Sequence, residues 1–336
     1  MVNNMRKYYG VFMILLAAGA LFTILFRLKL PSNSLMWREI HNTGHVPLFG
    51  GLALCILGLN TLLSSKGPSD QRRRYFAAFA GAISLGALFE LSQYFTPGDP
   101  SISDLLRDVV GAGLFLGTYM IFDLRMKPAY DRNRGLKALV IFTTALFSII
   151  AFLPLALWAG AYAYRDRAFP RMLDFESRWE EIFTETYNST LERVKPPSGW
   201  KDNRSAWAGR LTFRTQERSG FYLQEPAPNW TAFDTLMIEV YSLNDTAVQL
   251  SIRIDDAGHN QQYDDRFNRR LTILPGHNRI AMPLDDIRYA PKNRAMDLRQ
   301  IVAIYIFAIK PAIEYSVYLD NLELTAATKR AAERRY

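Results

Sequence analysis

"VQLSIRID", residues 248–255, alternates without a break: Val248, Leu250, Ile252 and Ile254 fall on one side, Gln249, Ser251, Arg253 and Asp255 on the other. A period of two is that of a strand with one face on a core and the other on water. On a helix the same residues would spread around the whole circumference. Working outward, "TLMIEVYSL" (235–243), "NRIAMPL" (278–284), "IVAIYIFAI" (301–309) and "YSVYLDNLEL" (315–324) are equally rich in β-branched and aromatic residues, and "LPGHN" and "APKN" between them supply turns. Several strands at short spacing, with no long helix between them, specify an antiparallel sandwich. Residues 172–324 are enough for a core of its own.

One flanking stretch resists that pattern. Met172, Phe175, Trp179, Ile182 or Phe183, Tyr187, Leu191 and Val194 recur at helical spacing. The expectation is a first strand at "RMLDFES" (171–177) followed by a short amphipathic helix over 177–191.

Further towards the N-terminus the composition changes altogether. Of the 336 residues, 1–163 are dominated by long apolar runs. Crossing a hydrocarbon layer of ~30 Å takes roughly 20 apolar residues in a helix. Five segments qualify: 8–26, 46–63, 75–95, 105–122 and 138–162. Arg6 and Lys7 ahead of the first imitate a secretory signal, but the apolar run is too long for one, and it reads as an uncleaved membrane helix. The fold class is thus a multi-domain membrane protein, with an all-α bundle of five membrane helices and an all-β jelly-roll sandwich. The expected division is 1–163, a linker at 164–171, the sandwich at 172–324 and a basic tail at 325–336.

Net charge is +8, but its placement matters more than its size. An N-terminus inside puts Arg6, Lys7, Lys66, Arg72, Arg73, Arg74, Arg125, Lys127, Arg132, Arg134 and Lys137 on the cytoplasmic side, and leaves the sandwich outside. The basic clusters read as topology markers, so no nucleic-acid partner is expected, while membrane lipid is. The single cysteine, Cys55, excludes an intramolecular disulfide. Walker loops, nucleophile elbows and dinucleotide fingerprints are absent from the sequence. Asn188, Asn203, Asn229 and Asn244 begin glycosylation sequons, several of which arise by chance in a chain of this length.

With this orientation His41, His45, Glu90, Gln93, Asp104 and Asp108 fall at the outer ends of three apolar segments. Glu90 and Gln93 share a helix face, as do Asp104 and Asp108. "TPGDPSIS" (96–103) turns the chain, and Ser103 or Asp104 can cap the helix that follows. Three uses of this cluster compete: catalysis, with His45 as base and Glu90 or Asp104 as acid; passage of a cation or proton; and helix packing alone, helped by Gly113 and Gly117. The His and carboxylate spacing lacks a diagnostic zinc pattern.

"REIHNTGHVPLFGGLAL" (38–54) followed by "ELSQYFTPGDPSISDLLRDVVGAG" (90–113) resembles the VanZ-like membrane protein family. Its pattern is a His opening one helix, then Glu-x-x-Gln-x-Phe-x-Pro-Gly, an Asp and a helix of small residues. His45, Glu90, Gln93, Phe95, Pro97, Gly98, Asp104, Gly111 and Gly117 match in order. The family usually has Arg where this chain has Asp99 and Asn where it has Asp108. The resemblance spans about residues 35–123 and implies a protein of a bacterial inner membrane, of the family named for glycopeptide resistance, whose biochemical activity is not settled.

The order "LDFES", "SAWAGRLTF", "NWTAFDTLMIEVYS", "LSIRIDDAG", "YDDRFNRRLTILPGHNRIAMPLDDI", "MDLRQIVAIYIFA" and "VYLDNLEL" resembles a carbohydrate-binding-module jelly roll of the galactose-binding-like type. It implies a glycan or lipid-linked sugar as partner. Trp200, Trp207, Trp230, Tyr222 and Tyr263 are then candidate stacking platforms, with Arg266 beside them in a polar loop with Asp255, Asp256, Asp264 and Asp265. The resemblance also implies a structural calcium, for which Asp174, Glu176 and Asp320 are the candidate ligands. The resulting expectation is a cell-envelope glycan binder. A membrane enzyme on a lipid-linked substrate, or a plain anchor for the sandwich, are the alternatives.

Overall fold

The computed structural model describes residues 2–27, 31, 34–63, 71–95 and 100–326. Pro97 and Gly98 of the turn expected at Pro97, Gly98 and Pro100, Asp99, the basic positions Lys29 and Lys66, and the tail from residue 327 lie outside them. The chain divides into two compact units, Met1–Ala159 and Gly160–Tyr336.

The first unit is helical: α1 (Val2–Arg27), α2 (Leu35–Leu63), α3 (Gln71–Gln93), α4 (Ile102–Phe122), the short α5 (Lys127–Arg132) and most of α6 (Arg134–Ala168). Among the described residues four helices, α2, α3, α4 and α6, are long and apolar enough to cross a membrane. Five were expected; the first of them, 8–26, lies on α1, whose side chains are described only in part. Residues 164–168, expected to be linker, continue α6, since nothing before Pro170 breaks the helical run. Ser101 opens α4: its hydroxyl accepts from the backbone N–H of Asp104, the cap expected two or three residues later from Ser103 or Asp104.

Helices α2 and α4 approach most closely. A Cβ at Gly111 would stand 2.4 Å from the Val46 carbonyl oxygen and 2.8 Å from its Cα, so only glycine fits. Gly113 and Gly117 instead make room for Phe147 and Thr144 of α6.

The second unit is an antiparallel β-sandwich. Its strands are β1 (Arg171–Leu173), β2 (Thr184–Tyr187), β3 (Ser189–Val194), β4 (Ala208–Phe213), β5 (Arg218–Gln224), β6 (Thr235–Ser242), β7 (Val248–Asp256), β8 (Phe267–Ile273), β9 (Gly276–Pro283), β10 (Ile301–Ile309) and β11 (Tyr315–Thr325), with a one-turn helix α7 (Leu284–Arg288). One sheet runs β3-β4-β11-β6-β9 with β1 also on β11; the other runs β2-β5-β10-β7-β8. The core lies between them. Leu250, Ile252 and Ile254 of β7, Ile304 and Ile306 of β10, and Phe221 of β5 are each at most 3% exposed. Each buried side chain of this size contributes about 1.5–3 kcal/mol.

The amphipathic helix expected over 177–191 does not form. A 3₁₀ turn at Glu181–Phe183 leads directly into β2 and β3. Asn188 between those strands has φ 49°, a left-handed conformation that Asn tolerates. This corner carries the chain from the five-stranded sheet to the other. The Asn188 Nδ2 donates to the Arg218 carbonyl at 3.0 Å and its own carbonyl accepts from the Ser219 hydroxyl at 2.5 Å.

Candidate functional sites

Because strand side chains alternate, the residues of β7 that face away from the core share a surface with those of its neighbours. The register pairs Glu185 with Tyr222, Tyr222 with Tyr305, Tyr305 with Arg253 and Arg253 with Asn268, a row across all five strands. The next row is Tyr187, Gly220, Phe307, Ser251 and Arg270. A Cβ at Gly220 would come within 2.6 Å of the Phe307 Cα, so glycine keeps that row flat. Over these rows lies a cleft of about 610 Å³ lined by Tyr187, Arg253, Tyr263, Arg266, Tyr305 and Phe307 among others.

The polar groups of the cleft are fixed by their neighbours. Tyr222 and Tyr305 stack at 5.0 Å, and the Arg253 guanidinium lies 4.6 Å from the Tyr305 ring on which it packs. Tyr222 donates its hydroxyl to Glu185 at 2.5 Å and Gln224 donates to the same oxygen at 3.0 Å. Arg253 is held by Asp255, its Nε donating at 2.8 Å. The loop between β7 and β8 is clamped by Arg294, which donates to both oxygens of the buried Asp256, at 2.6 and 2.7 Å, and to Asp265. Those bonds to Asp256 and Asp265 raise the Arg294 pKa further above its ordinary value. The clamp sets Tyr263 and Arg266 at the rim, with the Arg266 guanidinium 5.2 Å from the Tyr263 ring.

Of the sequence candidates, Tyr222, Tyr263 and Arg266 therefore belong to this face. The tryptophans do not join them. Trp230 is wholly buried in the core, its Nε1 donating to the Ala227 carbonyl, and offers no ring face to a ligand. Trp200 is 3% exposed and stacks on Tyr241 of the other sheet. Trp207 is half-buried under the Arg193 guanidinium. Tyr187, Tyr305 and Phe307 were not among the expected residues. The signal for them is the alternation of Tyr305 and Phe307 with Ile304 and Ile306 inside an apolar run.

The fit of a calcium ion fails on the donors. Among the described residues no group of carboxylates, His or Cys is arranged to hold a metal. Asp174 pairs with Arg171 at 2.9 Å and accepts from the Glu176 backbone N–H. Glu176 accepts from the Trp207 backbone N–H, and Asp320 from Asn203 Nδ2 at 2.6 Å and from the Asn321 N–H. Burial pushes the Asp320 carboxyl up to about 6, and burial together with Asp174 pushes Glu180 up to about 8.

In the helical unit the structure brings His45 of α2, Glu90 of α3 and Asp108 of α4 inward, exposed by 9, 7 and 0%. His45 Nδ1 lies 2.9 Å from Asp108 Oδ1, and its ring stacks on Phe49. Asp108 Oδ2 is buried with no hydrogen-bond partner among the described residues. Gly86 of α3 leaves the space for that oxygen, since a Cβ there would stand 2.7 Å from it. Glu90 accepts from the Ser101 backbone N–H at 2.7 Å and from Gln93 at 3.3 Å, which ties α3 to the start of α4. Asp104 turns instead to Arg107. The cluster is thus a His–Asp pair with Glu90 and Gln93 beside the helix start, and Asp104 pairs with Arg107.

No family model matches the chain, and no curated protein does. The VanZ-like resemblance accordingly rests on its motif residues alone. Solved structures similar to the chain include a family 11 carbohydrate-binding module from Clostridium thermocellum in complex with a β-1,3-1,4-mixed-linked tetrasaccharide, at 17% identity and a TM-score of 0.37, covering 47% of this chain and 95% of that one. An exo-β-agarase is similar at 15% identity and a TM-score of 0.39, over 47% of this chain and 25% of the agarase. A family 30 carbohydrate-binding module is similar at 12% identity and a TM-score of 0.34, over 43% of this chain and 92% of the module. What the cleft binds has to be argued from its own residues.

Proposed function

We propose that this is a membrane-anchored glycan-binding protein of a bacterial envelope, with the sandwich outside the cytoplasmic membrane and its cleft as the binding site. The observation that carries the reading is the two rows of side chains across the five-stranded sheet. Arg253, Asn268 and Ser251 offer donors and acceptors at the spacing of neighbouring strands, and Tyr187 and Phe307 offer apolar surface between them. Apolar surface with a few fixed polar groups is how a pocket holds a sugar ring and reads its hydroxyls. Four helices of spanning length supply the anchor, and the distribution of Lys and Arg supports the orientation. The full chain in lipid nanodiscs, applied to an array of envelope and plant-type glycans, tests this. Binding that is lost in Tyr187→Ala/Phe307→Ala supports it, and no binding to any glycan would reject it.

A second reading is favoured by the unpartnered Asp108 oxygen: a VanZ-like membrane enzyme acting on a lipid-linked envelope substrate through His45, Asp108 and Glu90. A buried carboxylate with an uncommitted oxygen beside an imidazole is a group that can take or give a proton. If His45→Ala and Glu90→Gln are produced at normal levels in membranes yet do not restore the phenotype of a deletion strain, the cluster acts chemically. Full restoration by both leaves it a packing device.

A further inference from the structure

Resting on the reading of the cleft as a glycan site, we propose that its ligand is an anionic polysaccharide, with carboxylate or sulfate groups on its sugars.

The cleft is lined by Arg218, Arg253, Arg266, Arg269 and Arg270 against a single acidic residue, Glu217. Part of this charge is already answered. Arg253 is paired with Asp255, Arg269 stands 3.8 Å from Asp286, and Glu217 stands 3.8 Å from Lys310. Arg218, Arg266 and Arg270 have no carboxylate within ion-pair distance among the described residues. Arg266 is the most telling of the three. Its Nε is buried without a hydrogen-bond partner. Burial, and then the nearby Arg253, lower its pKa against the opposing pull of Asp255, with Arg218 adding to the fall. A half-buried guanidinium beside two others is an unfavourable arrangement that an anion in the cleft would relieve.

The aromatic rings point the same way. Tyr305 is covered on its faces by Tyr222 and by Arg253, while Tyr263, 69% exposed, meets Arg266 on one side. Beside these rings stand guanidinium groups, and the forked N–H donors of Arg266, unlike those of the Asp255-paired Arg253, are left to match the paired oxygens of carboxylate or sulfate. Ser251, Asn268 and Asn188 along the cleft remain to read hydroxyls.

The test uses the full chain in zwitterionic nanodiscs with four probes: polygalacturonate for carboxylate, dextran sulfate for sulfate ester, lichenan as a neutral glucan and single-stranded DNA. The expected result is binding of one or both charged glycans, and whichever binds tighter identifies the anion. That binding should fall at least about tenfold as sodium chloride rises from about 0.05 to about 0.5 M, because screening removes the attraction of partly exposed charges. Arg270→Gln should weaken it by a similar factor with unfolding unchanged, since Arg270 is exposed on the edge strand β8; Arg266→Gln provides a second, independent site. Lichenan bound as tightly as the charged glycans, without salt dependence, overturns the inference and leaves the glycan reading standing. Failure of every glycan overturns both. DNA bound as tightly as polygalacturonate also overturns it, because charge alone would then be the determinant.

Discussion

At single positions the chain departs from its own patterns where charge is buried. Asp108 stands where the VanZ-like pattern has Asn, and it is the partner of His45 at 2.9 Å. Asp108→Asn keeps a side-chain oxygen in place and should retain the α2–α4 contact. Asp108→Ala strands His45 and should cost about 3–5 kcal/mol, read as a fall in the midpoint of detergent-induced unfolding; equal midpoints for the two variants would refute the pair's structural weight. Glu180 makes a pH prediction. Its carboxyl ionises at about 8 in the fold against an ordinary value of 4.5, so the folded state holds the proton more tightly. Stability is therefore fully present below about pH 4.5 and is lost as pH rises through about 8. Thermal unfolding of the sandwich by tryptophan fluorescence should show that decline, and Glu180→Gln should flatten it. A decline left unchanged in the variant would locate its cause elsewhere.

Single elements depend on residues whose role sequence patterns disclose unevenly. The strand at 248–256 was legible because strict alternation has one structural meaning, and the strands at 235–242, 276–283, 301–309 and 315–325 followed from composition. Residues 177–191 were not, for an arithmetic reason. Trp179, Phe183, Tyr187 and Leu191 are spaced by four, which is near the helical period and also a multiple of two. Tertiary pairing with β5 and β4 decided the matter in favour of strands. The left-handed corner at Asn188 follows from that pairing. Asn188→Val should destabilise the sandwich by about 1–2 kcal/mol, whereas Asn188→Gly should be tolerated; equal losses would contradict the backbone account. In the helical unit Gly111→Leu should force α2 from α4, since its Cβ alone would meet the Val46 backbone. Loss of a cross-link between cysteines introduced at positions 45 and 108 would report that separation, and efficient cross-linking in the Leu variant would contradict it.

For the whole molecule, the division into a helical and a β unit was readable from composition. Four of the five expected spans lie on helices that qualify among the described residues, and the fifth, 8–26, lies on α1. In the helical unit His45 and Asp108 meet because α2 and α4 pack closely, whereas Asp104, expected on the same face as Asp108, turns to Arg107. The cleft residues Tyr187, Tyr305 and Phe307 sit on strands far apart in sequence, and only the register brings them into neighbouring rows. Trp200 and Trp230 drew attention by residue type, yet both fill packed interiors. The central claim, that a glycan occupies the cleft over the five-stranded sheet, is tested most directly by hydroxyl-radical footprinting of the full chain with and without a bound polysaccharide. The account predicts reduced oxidation at Tyr187, Tyr263 and Phe307 with Trp207 unchanged. Protection at Trp207 with those three unaffected would contradict it.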